Sequence, residues 1–201
     1  VGGVRAAEDV CKNGCDDGIV SSEVGDEKSQ KDYYEKASHY DKIWGDDNLH
    51  LGYFPHLSPW TSTTVRLDHK QAASVLNERM ISLAGIKNGT KILDLGAGKG
   101  RACYEMALLT GASCTGIDLA TVNVERGNAI AAENPHLDLK FIAGSFTALP
   151  EEVKTEKYDV VFAQVSFCHV HQLLDKIFEE VATVMTKDNL FIINDYLGSD
   201  W

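Results

Sequence analysis

The sequence contains no long apolar run and has little positive charge. Nowhere do eighteen apolar residues follow one another, so no transmembrane helix is predicted. The 201 residues carry 19 Lys and Arg against 30 Asp and Glu, a formal net charge of −11 at pH 7. Such a chain is repelled by a nucleic-acid backbone and by an anionic membrane surface. We therefore expect a soluble protein that binds neither nucleic acid nor membranes.

Cysteine is sparse and follows no ligand pattern. The five cysteines are an odd number, and the pair Cys11 and Cys15 has no second Cys or His pair at a metal-ligand spacing. We expect no metal site and no disulfide framework, which favours a reducing compartment such as the cytoplasm or a plastid interior. Residues 1–29 are rich in Gly, Ser and acidic residues and lack the apolar region of a signal peptide, so they are predicted to be a flexible leader.

Residues 30–84 form a second segment, in which aromatic and charged residues alternate. Their spacing predicts a short helix, then a loop, then an amphipathic helix over Ser62–Ala84 that stops at Gly85, and we interpret this segment as a helical and aromatic lid. Residues 85–201 form the predicted core. The sequence ends soon after an apolar strand-like run, so we expect it to be a fragment of a longer protein.

Within the core, strand-like and helical runs alternate along the chain. This order is typical of an α/β fold with a parallel sheet covered by helices. The predicted strands are Lys91–Leu95, Ser113–Ile117, Leu139–Ala143, Tyr158–Gln164 and Leu190–Asn194, and the predicted helices are Arg101–Thr110, Val122–Glu133 and Gln172–Met185.

The most informative segment is KILDLGAGKG at residues 91–100, an apolar strand that runs into a glycine turn and then a helix. Its glycines allow a sharp turn and close approach of a ligand, and the helix N-terminus presents free N–H groups. The third glycine of a dinucleotide fingerprint would fall at position 101, which is Arg101, so an NAD site is disfavoured. A second strand ends at Asp118, 20 residues after Gly98, where an acid is expected to accept hydrogen bonds from ribose hydroxyls.

The run ILDLGAGKG, followed by GIDLA, resembles motifs I and II of class I S-adenosylmethionine-dependent methyltransferases. The resemblance covers about residues 30–198 and implies a Rossmann-like sheet with helices on both faces, here without the C-terminal closing strands. It implies S-adenosyl-L-methionine as cofactor, S-adenosyl-L-homocysteine as product and a small-molecule methyl acceptor. The cofactor-binding residues implied in this way are Asp94, Gly96, Ala97, Gly98, Asp118, Leu119, Gly144, Ser145, Phe146 and Gln164.

The resemblance also implies roles for these residues. The first four surround the methionine part, and Asp118 with Leu119 holds the ribose. Ser145 stands where many family members carry an aspartate that accepts from the adenine amino group, and its hydroxyl can accept without a charge. Gln164, at the end of the fourth strand, lines the methionine and methyl end.

The Tyr33-Tyr34 pair, Trp44-Gly45, the run LHLGY at residues 49–53, and the motifs GSF and QVSFCH are similar to sarcosine/dimethylglycine N-methyltransferases of glycine betaine synthesis. Tocopherol-type, phosphoethanolamine-type and cyclopropane-fatty-acid groups share much of the N-terminal pattern. Those acceptors therefore stay open, as does a non-catalytic module that only binds the cofactor.

Methyl transfer mainly requires alignment of the acceptor and exclusion of water. An amine acceptor must be unprotonated, and the candidate residues to take its proton are His50, His169 and Tyr34. Aromatic faces suit a developing quaternary ammonium, at about 0.5–2 kcal/mol each. The candidate aromatics are Tyr33, Tyr34, Trp44 and Tyr53. A structural interpretation stays open beside these roles, with the aromatics packing an N-terminal helix and His50 bonded to the backbone.

Overall fold

The computed structural model describes residues 67–195 and, before them, residues 28, 31, 32, 35, 48, 50 and 52–54. The strands are β1 Lys91–Leu95, β2 Ser113–Asp118, β3 Leu139–Ala143, β4 Val160–Gln164 and β5 Leu190–Asn194. The α-helices are α1 His69–Ala84, α2 Arg101–Thr110, α3 Thr121–Glu133, α4 Glu151–Lys154 and α5 Leu174–Val184. All five strands are parallel, in the order β3-β2-β1-β4-β5. The predicted parallel sheet is confirmed.

The two faces of the sheet carry separate apolar cores. Because side chains alternate along a strand, Ile92 of β1 packs on one side and Leu93 and Leu95 pack on the other. The side with Ile92 is covered by α1, α2 and α3, and the opposite side by α4 and α5. The expected cover of helices on both faces is therefore present, and the carboxyl ends of the strands stay available for a ligand.

Helix α1 begins later than the apolar pattern predicted. Asp68 forms a capping box, because its Oδ1 accepts a hydrogen bond from the Gln71 N–H at 2.8 Å and its own N–H donates to Gln71 Oε1 at 3.0 Å. Residues 67 and 68 are not helical, and residues 62–66 lie outside the described residues. The stop at Gly85 is confirmed, with φ of 63° at the helix end.

Five other boundaries differ from the sequence prediction by one or two residues. Strand β2 ends at Asp118 rather than Ile117, α3 begins at Thr121 rather than Val122, and α5 ends at Val184 rather than Met185. Strand β4 begins at Val160 rather than Tyr158, and α5 begins at Leu174 after a short 3₁₀ helix. A second 3₁₀ helix, Phe167–His169, directly follows β4, and neither it nor the single turn of α4 was predicted.

One cysteine pair is joined although the sequence predicted no disulfide framework. Cys103 of α2 and Cys114 of β2 are joined, with their Cα atoms 5.5 Å apart, because α2 packs directly on β2. Cys168 is not disulfide-bonded. Within the described part of the chain, no helix is long and apolar enough to cross a membrane, and no cluster of three or more His, Cys, Asp or Glu could hold a metal ion.

Candidate cofactor and active site

The glycine turn after β1 is anchored on the end of β2. The N–H groups of Gly96 and Ala97 both donate to the Ile117 carbonyl at 2.9 Å. Gly96 and Gly98 have φ of 80° and 54°, a region that side chains strongly disfavour. A Cβ at Gly96 would lie 2.7 Å from the Cβ of Ser166, so the end of β4 packs directly against the turn. The carboxyl ends of β1, β2 and β4 therefore lie together at this turn.

Asp118 ends β2 and holds the turn in place. Its Oδ2 accepts from the Gly98 N–H at 2.8 Å, and its Oδ1 accepts from the Ala120 N–H at 2.9 Å and the Asn123 amide at 3.2 Å. A carboxylate offers about four acceptor sites, so one remains at Oδ2 for a ligand. Burial raises the pKa of Asp118, while these three hydrogen bonds lower it.

Asp94, the fourth residue of β1, is buried with 2% of its surface exposed. Its Oδ2 lies 3.6 Å from the sulfur of Cys103. Burial, together with the negative charge of Asp118, raises the pKa of Asp94 to about 7. The site thus contains a carboxyl group that is close to half protonated at neutral pH, and its predicted contact with methionine stays a prediction.

The turn after β3 is built by its own hydrogen bonds. The Gly144 N–H donates to the Asp118 carbonyl at 3.0 Å, which ties this turn to β2. Ser145 Oγ accepts from the Thr147 N–H at 3.0 Å and lies 2.8 Å from the Thr147 hydroxyl. Phe146 is buried, with its ring centroid 5.5 Å from that of Phe167. Ser145 is thus oriented locally, and its predicted adenine contact stays a prediction.

The end of β4 presents buried polar groups. Gln164 and Ser166 are each 8% exposed, and neither the Gln164 amide nor the Ser166 hydroxyl has a hydrogen-bond partner among the described residues. Val165 between them has φ of 53°, which is rare and costly for a β-branched residue. Buried polar groups without partners are expensive, so this pair is suited to bind a polar ligand.

A family model described as a methyltransferase domain matches residues 86–199, more than half of the chain. The chain belongs to the class I S-adenosylmethionine-dependent methyltransferases. Among relatives of this methyltransferase, the sarcosine/dimethylglycine N-methyltransferase of Aphanothece halophytica is 31% identical over 178 residues, 86% of this chain and 60% of that protein. The chloroplastic tocopherol O-methyltransferase of Arabidopsis thaliana is 31% identical over 144 residues, 69% of this chain and 40% of that protein.

Solved structures agree on the fold. Coclaurine N-methyltransferase bound to N-methylheliamine and SAH superposes with a TM-score of 0.69 at 19% identity, over 83% of this chain and 46% of that one. At that identity the match supports the architecture alone. The methyltransferase chain described here spans 60% or less of the length of the relatives named above.

The residues of this methyltransferase fit the cofactor of its family. S-adenosylmethionine combines a ribose with an ammonium and a carboxylate, and each needs polar partners. Asp118 keeps an acceptor site at one side of the glycine turn. The unpartnered Gln164 and Ser166 lie at its other side. The structure brings these residues together with Gly96, Ala97 and Gly98 at one edge of the sheet, while Leu119 lies partly exposed beside Asp118.

The predicted catalytic residues are described only in part. His50 is buried at 6% exposure, and Asn48 is buried nearby in sequence, with no hydrogen-bond partner for its amide among the described residues. The backbone of His169 ends the 3₁₀ helix after β4. The predicted Tyr33, Tyr34 and Trp44 lie outside the described residues. Tyr53 is described, and the Arg79 guanidinium lies 4.9 Å from its ring centroid.

Sequence reasoning missed two residues that shape the site. Glu35 accepts from both the N–H and the hydroxyl of Thr121, at 2.9 and 2.7 Å, and so caps α3 beside Asp118. These hydrogen bonds lower the pKa of Glu35. Asp195 accepts from the backbone N–H groups of Phe167 and Cys168. Its position just after β5, at the same edge as the other strand ends, was a usable signal.

Proposed function

We propose that this methyltransferase transfers a methyl group to the nitrogen of sarcosine or dimethylglycine, toward glycine betaine. The observation that carries the proposal is the convergence of Asp118, the glycine turn and the unpartnered Gln164 at one sheet edge. The relative of Aphanothece halophytica, at 31% identity over 86% of the chain, supports the choice of acceptor. The N-terminal aromatic pattern supports it as well.

Bound S-adenosylmethionine supplies a methyl group on a positively charged sulfur. The chain must then hold the acceptor in line, keep water out and take a proton from its amine. We propose His50, His169 or Tyr34 as the residue that takes the proton from the amine. The aromatic residues proposed to bind the cationic product are Tyr33, Tyr34, Trp44 and Tyr53. His50 is one of the buried residues, and a neutral imidazole offers a ring nitrogen that can accept a proton.

A second acceptor class has support of its own. The tocopherol O-methyltransferase relative is also 31% identical, over 69% of the chain. A phenol acceptor would need its oxygen deprotonated by the same candidate residues, but would leave no cation for the aromatic faces to stabilise. The two proposals therefore differ in what the aromatic residues do.

The test is the formation of S-adenosylhomocysteine, measured by mass spectrometry. The chain is incubated with S-adenosylmethionine and, in separate tubes, with glycine, sarcosine, dimethylglycine, phosphoethanolamine and a tocopherol precursor. We expect product with sarcosine and dimethylglycine, and a large loss of turnover in His169→Ala if His169 takes the proton. The cofactor affinity of that variant, measured by calorimetry, is the control and is expected to stay unchanged.

If product forms only with the tocopherol precursor, the acceptor is a phenol and the proposal of an amine acceptor is wrong. Cofactor binding without product in any tube would favour the non-catalytic module. Turnover that is unchanged in His169→Ala would remove that residue from the proposed mechanism and leave His50 and Tyr34.

A further inference from the structure

Asp195 lies directly after β5 and bonds to the chain that leaves β4. One of its oxygens, Oδ2, accepts from the Phe167 N–H at 2.6 Å and from the Cys168 N–H at 3.2 Å. Both N–H groups belong to the first turn of a 3₁₀ helix, where no backbone acceptor is available. The carboxylate therefore caps this turn across 28 residues of sequence.

The turn is held at a second point by the backbone. The Val165 N–H donates to the Asn194 carbonyl at 2.8 Å, which extends the pairing of β4 with β5 by one residue. Val165 has φ of 53°, so its backbone is left-handed against the preference of a β-branched side chain. Such a conformation persists only where its surroundings enforce it, and Asp195 with Asn194 supplies two of those restraints.

The restrained turn holds Ser166 against the glycine turn. The Ser166 hydroxyl is buried, has no hydrogen-bond partner among the described residues, and would lie 3.3 Å from a Cβ at Gly96. The Gln164 amide, one residue before Val165, is buried and has no hydrogen-bond partner among the described residues either. A hydroxyl and an amide both donate and accept hydrogen bonds. They suit a ligand end that carries both an ammonium and a carboxylate.

The order of strands separates this polar pair from Asp118. Asp118 ends β2 and Gln164 ends β4, with β1 and its glycine turn between them. Neighbouring strands lie about 4.8 Å apart, so the two sites are about 10 Å apart across the turn. A cofactor with its ribose at Asp118 places its other end, the amino-acid part, beside the turn after β4.

We propose that Asp195 is a positioning residue for the amino-acid end of the cofactor, because it fixes the turn that presents Gln164 and Ser166. The role of Ser166 in binding that end is part of the same proposal. It rests on the proposed use of S-adenosylmethionine. Asp195 touches backbone N–H groups, and it acts on the ligand through the turn.

The test compares two ligands that share the adenosine and the thioether. S-adenosylhomocysteine carries the amino-acid end, and 5′-methylthioadenosine lacks it. Calorimetry gives the dissociation constant of each ligand for the wild type and the variants Asp195→Ala, Asp195→Asn and Ser166→Ala. The matched control is Glu180→Gln, because Glu180 likewise accepts a loop N–H, that of Leu149 at 2.8 Å, whereas the Phe167 and Cys168 N–H groups donate to Asp195.

We expect Asp195→Ala to weaken S-adenosylhomocysteine about tenfold, the equivalent of one lost hydrogen bond, and to change 5′-methylthioadenosine less than about twofold. Asp195→Asn keeps a carbonyl oxygen as acceptor and should fall between wild type and Asp195→Ala. Ser166→Ala leaves the turn intact and should weaken S-adenosylhomocysteine alone, by about threefold. Glu180→Gln should change neither constant.

Equal weakening of both ligands in Asp195→Ala would overturn the proposal, since it would show a general loss of structure. So would unchanged binding of S-adenosylhomocysteine in both Asp195→Ala and Ser166→Ala. If circular dichroism shows that Asp195→Ala does not fold, the dissociation constants of Ser166→Ala and Asp195→Asn test the proposal instead. A wild type that binds neither ligand would overturn the proposed function and this inference together, whereas selective binding without a variant effect would overturn the inference alone.

Discussion

The Asp118 carboxylate is both a part of the fold and the predicted ribose acceptor. It holds the Gly98 N–H at 2.8 Å, so its removal acts on the glycine turn as well as on the ligand. Hydrogen bonds to a charged acceptor are worth about 1.5–3 kcal/mol each. The same side chain therefore couples the shape of the turn to the affinity for the cofactor.

We expect Asp118→Ala to weaken cofactor binding by about 1.5–3 kcal/mol and to lower the melting temperature of the ligand-free chain. Asp118→Asn retains one oxygen acceptor and should lose less of both. Calorimetry with S-adenosylhomocysteine and thermal unfolding without ligand measure the two effects. An unchanged affinity would refute the ribose role, even if the melting temperature fell.

Asp94 predicts a pH dependence of stability. Its folded pKa of about 7 lies above the ordinary value of 3.8, because burial and Asp118 disfavour the charged form. Between these two pH values the unfolded chain has lost the proton and the folded chain still holds it, so the free energy of unfolding falls as pH rises from about 4 to about 7. At about 1.4 kcal/mol per pKa unit the loss amounts to at most about 4 kcal/mol.

Urea unfolding at pH 5 and pH 8 measures this effect. We expect wild type to lose stability toward pH 8 relative to Asp94→Asn, whose amide does not titrate. The difference between the two proteins should be nearly constant above about pH 8, where Asp94 is ionised in both states. Parallel curves from pH 5 to pH 8 would show that the pKa of Asp94 is not raised.

At the scale of elements, α1 is attached to α2 through one buried carboxylate. Glu105 of α2 accepts from the Ser74 hydroxyl and the Asn77 amide of α1, both at 2.8 Å. It also accepts from Arg101 Nε at 2.7 Å, one turn before it on α2. Glu105 is 4% exposed, so the loss of its carboxylate leaves a buried Asn77 amide without an acceptor.

We expect Glu105→Ala to lower the free energy of unfolding by about 3 kcal/mol, since buried groups are left unsatisfied. Urea denaturation measures the change, and Glu78→Ala is the control because Glu78 is exposed on α1. The control should stay within about 0.5 kcal/mol of wild type. An equally small effect in Glu105→Ala would show that the carboxylate does not hold the two helices together.

Local sequence patterns predicted which helices and strands form better than they predicted where each one begins and ends. Strand β1 and helix α2 are confirmed to the residue, because an apolar run and a glycine turn border each other in sequence. The start of α1 was misplaced since the apolar spacing outweighed the Asp68-to-Gln71 capping box, which the sequence does contain. The 3₁₀ helix after β4 has no such local signal, because its cap comes from Asp195.

In the candidate site, too, features with a local sequence signal were predicted and features built by distant contacts were not. The glycine turn and Asp118 were found from strand, turn and acid in sequence order, and the structure joins them by a hydrogen bond. The contacts of Glu35 with Thr121 and of Asp195 with Phe167 span 86 and 28 residues. Contacts of that kind depend on how elements pack, so a local pattern can place Asp195 at the strand ends but does not reveal which N–H groups these carboxylates accept from.

At the scale of the whole molecule, the net charge of −11 acts on every charged ligand. S-adenosylmethionine carries a net charge of about +1 at neutral pH, since its sulfonium and ammonium outweigh one carboxylate. S-adenosylhomocysteine lacks the sulfonium charge and is neutral overall. An acidic protein attracts the first over a distance that salt shortens, to about 10 Å at 0.1 M ionic strength. The two ligands have nearly the same shape, so they separate long-range charge from contacts.

We expect the association rate of S-adenosylmethionine to fall by about threefold or more between 0.01 M and 0.5 M NaCl, because the Debye length drops from about 30 Å to well under 10 Å. The rate for S-adenosylhomocysteine should change by less than half as much. Stopped-flow binding of both ligands to one preparation measures the two rates at pH 8, where Asp94 is ionised and titration does not interfere. Equal salt dependence of the two ligands would mean that the acidic surface is distributed away from the site, and that the cofactor is recognised only at the short range of Asp118 and the strand ends.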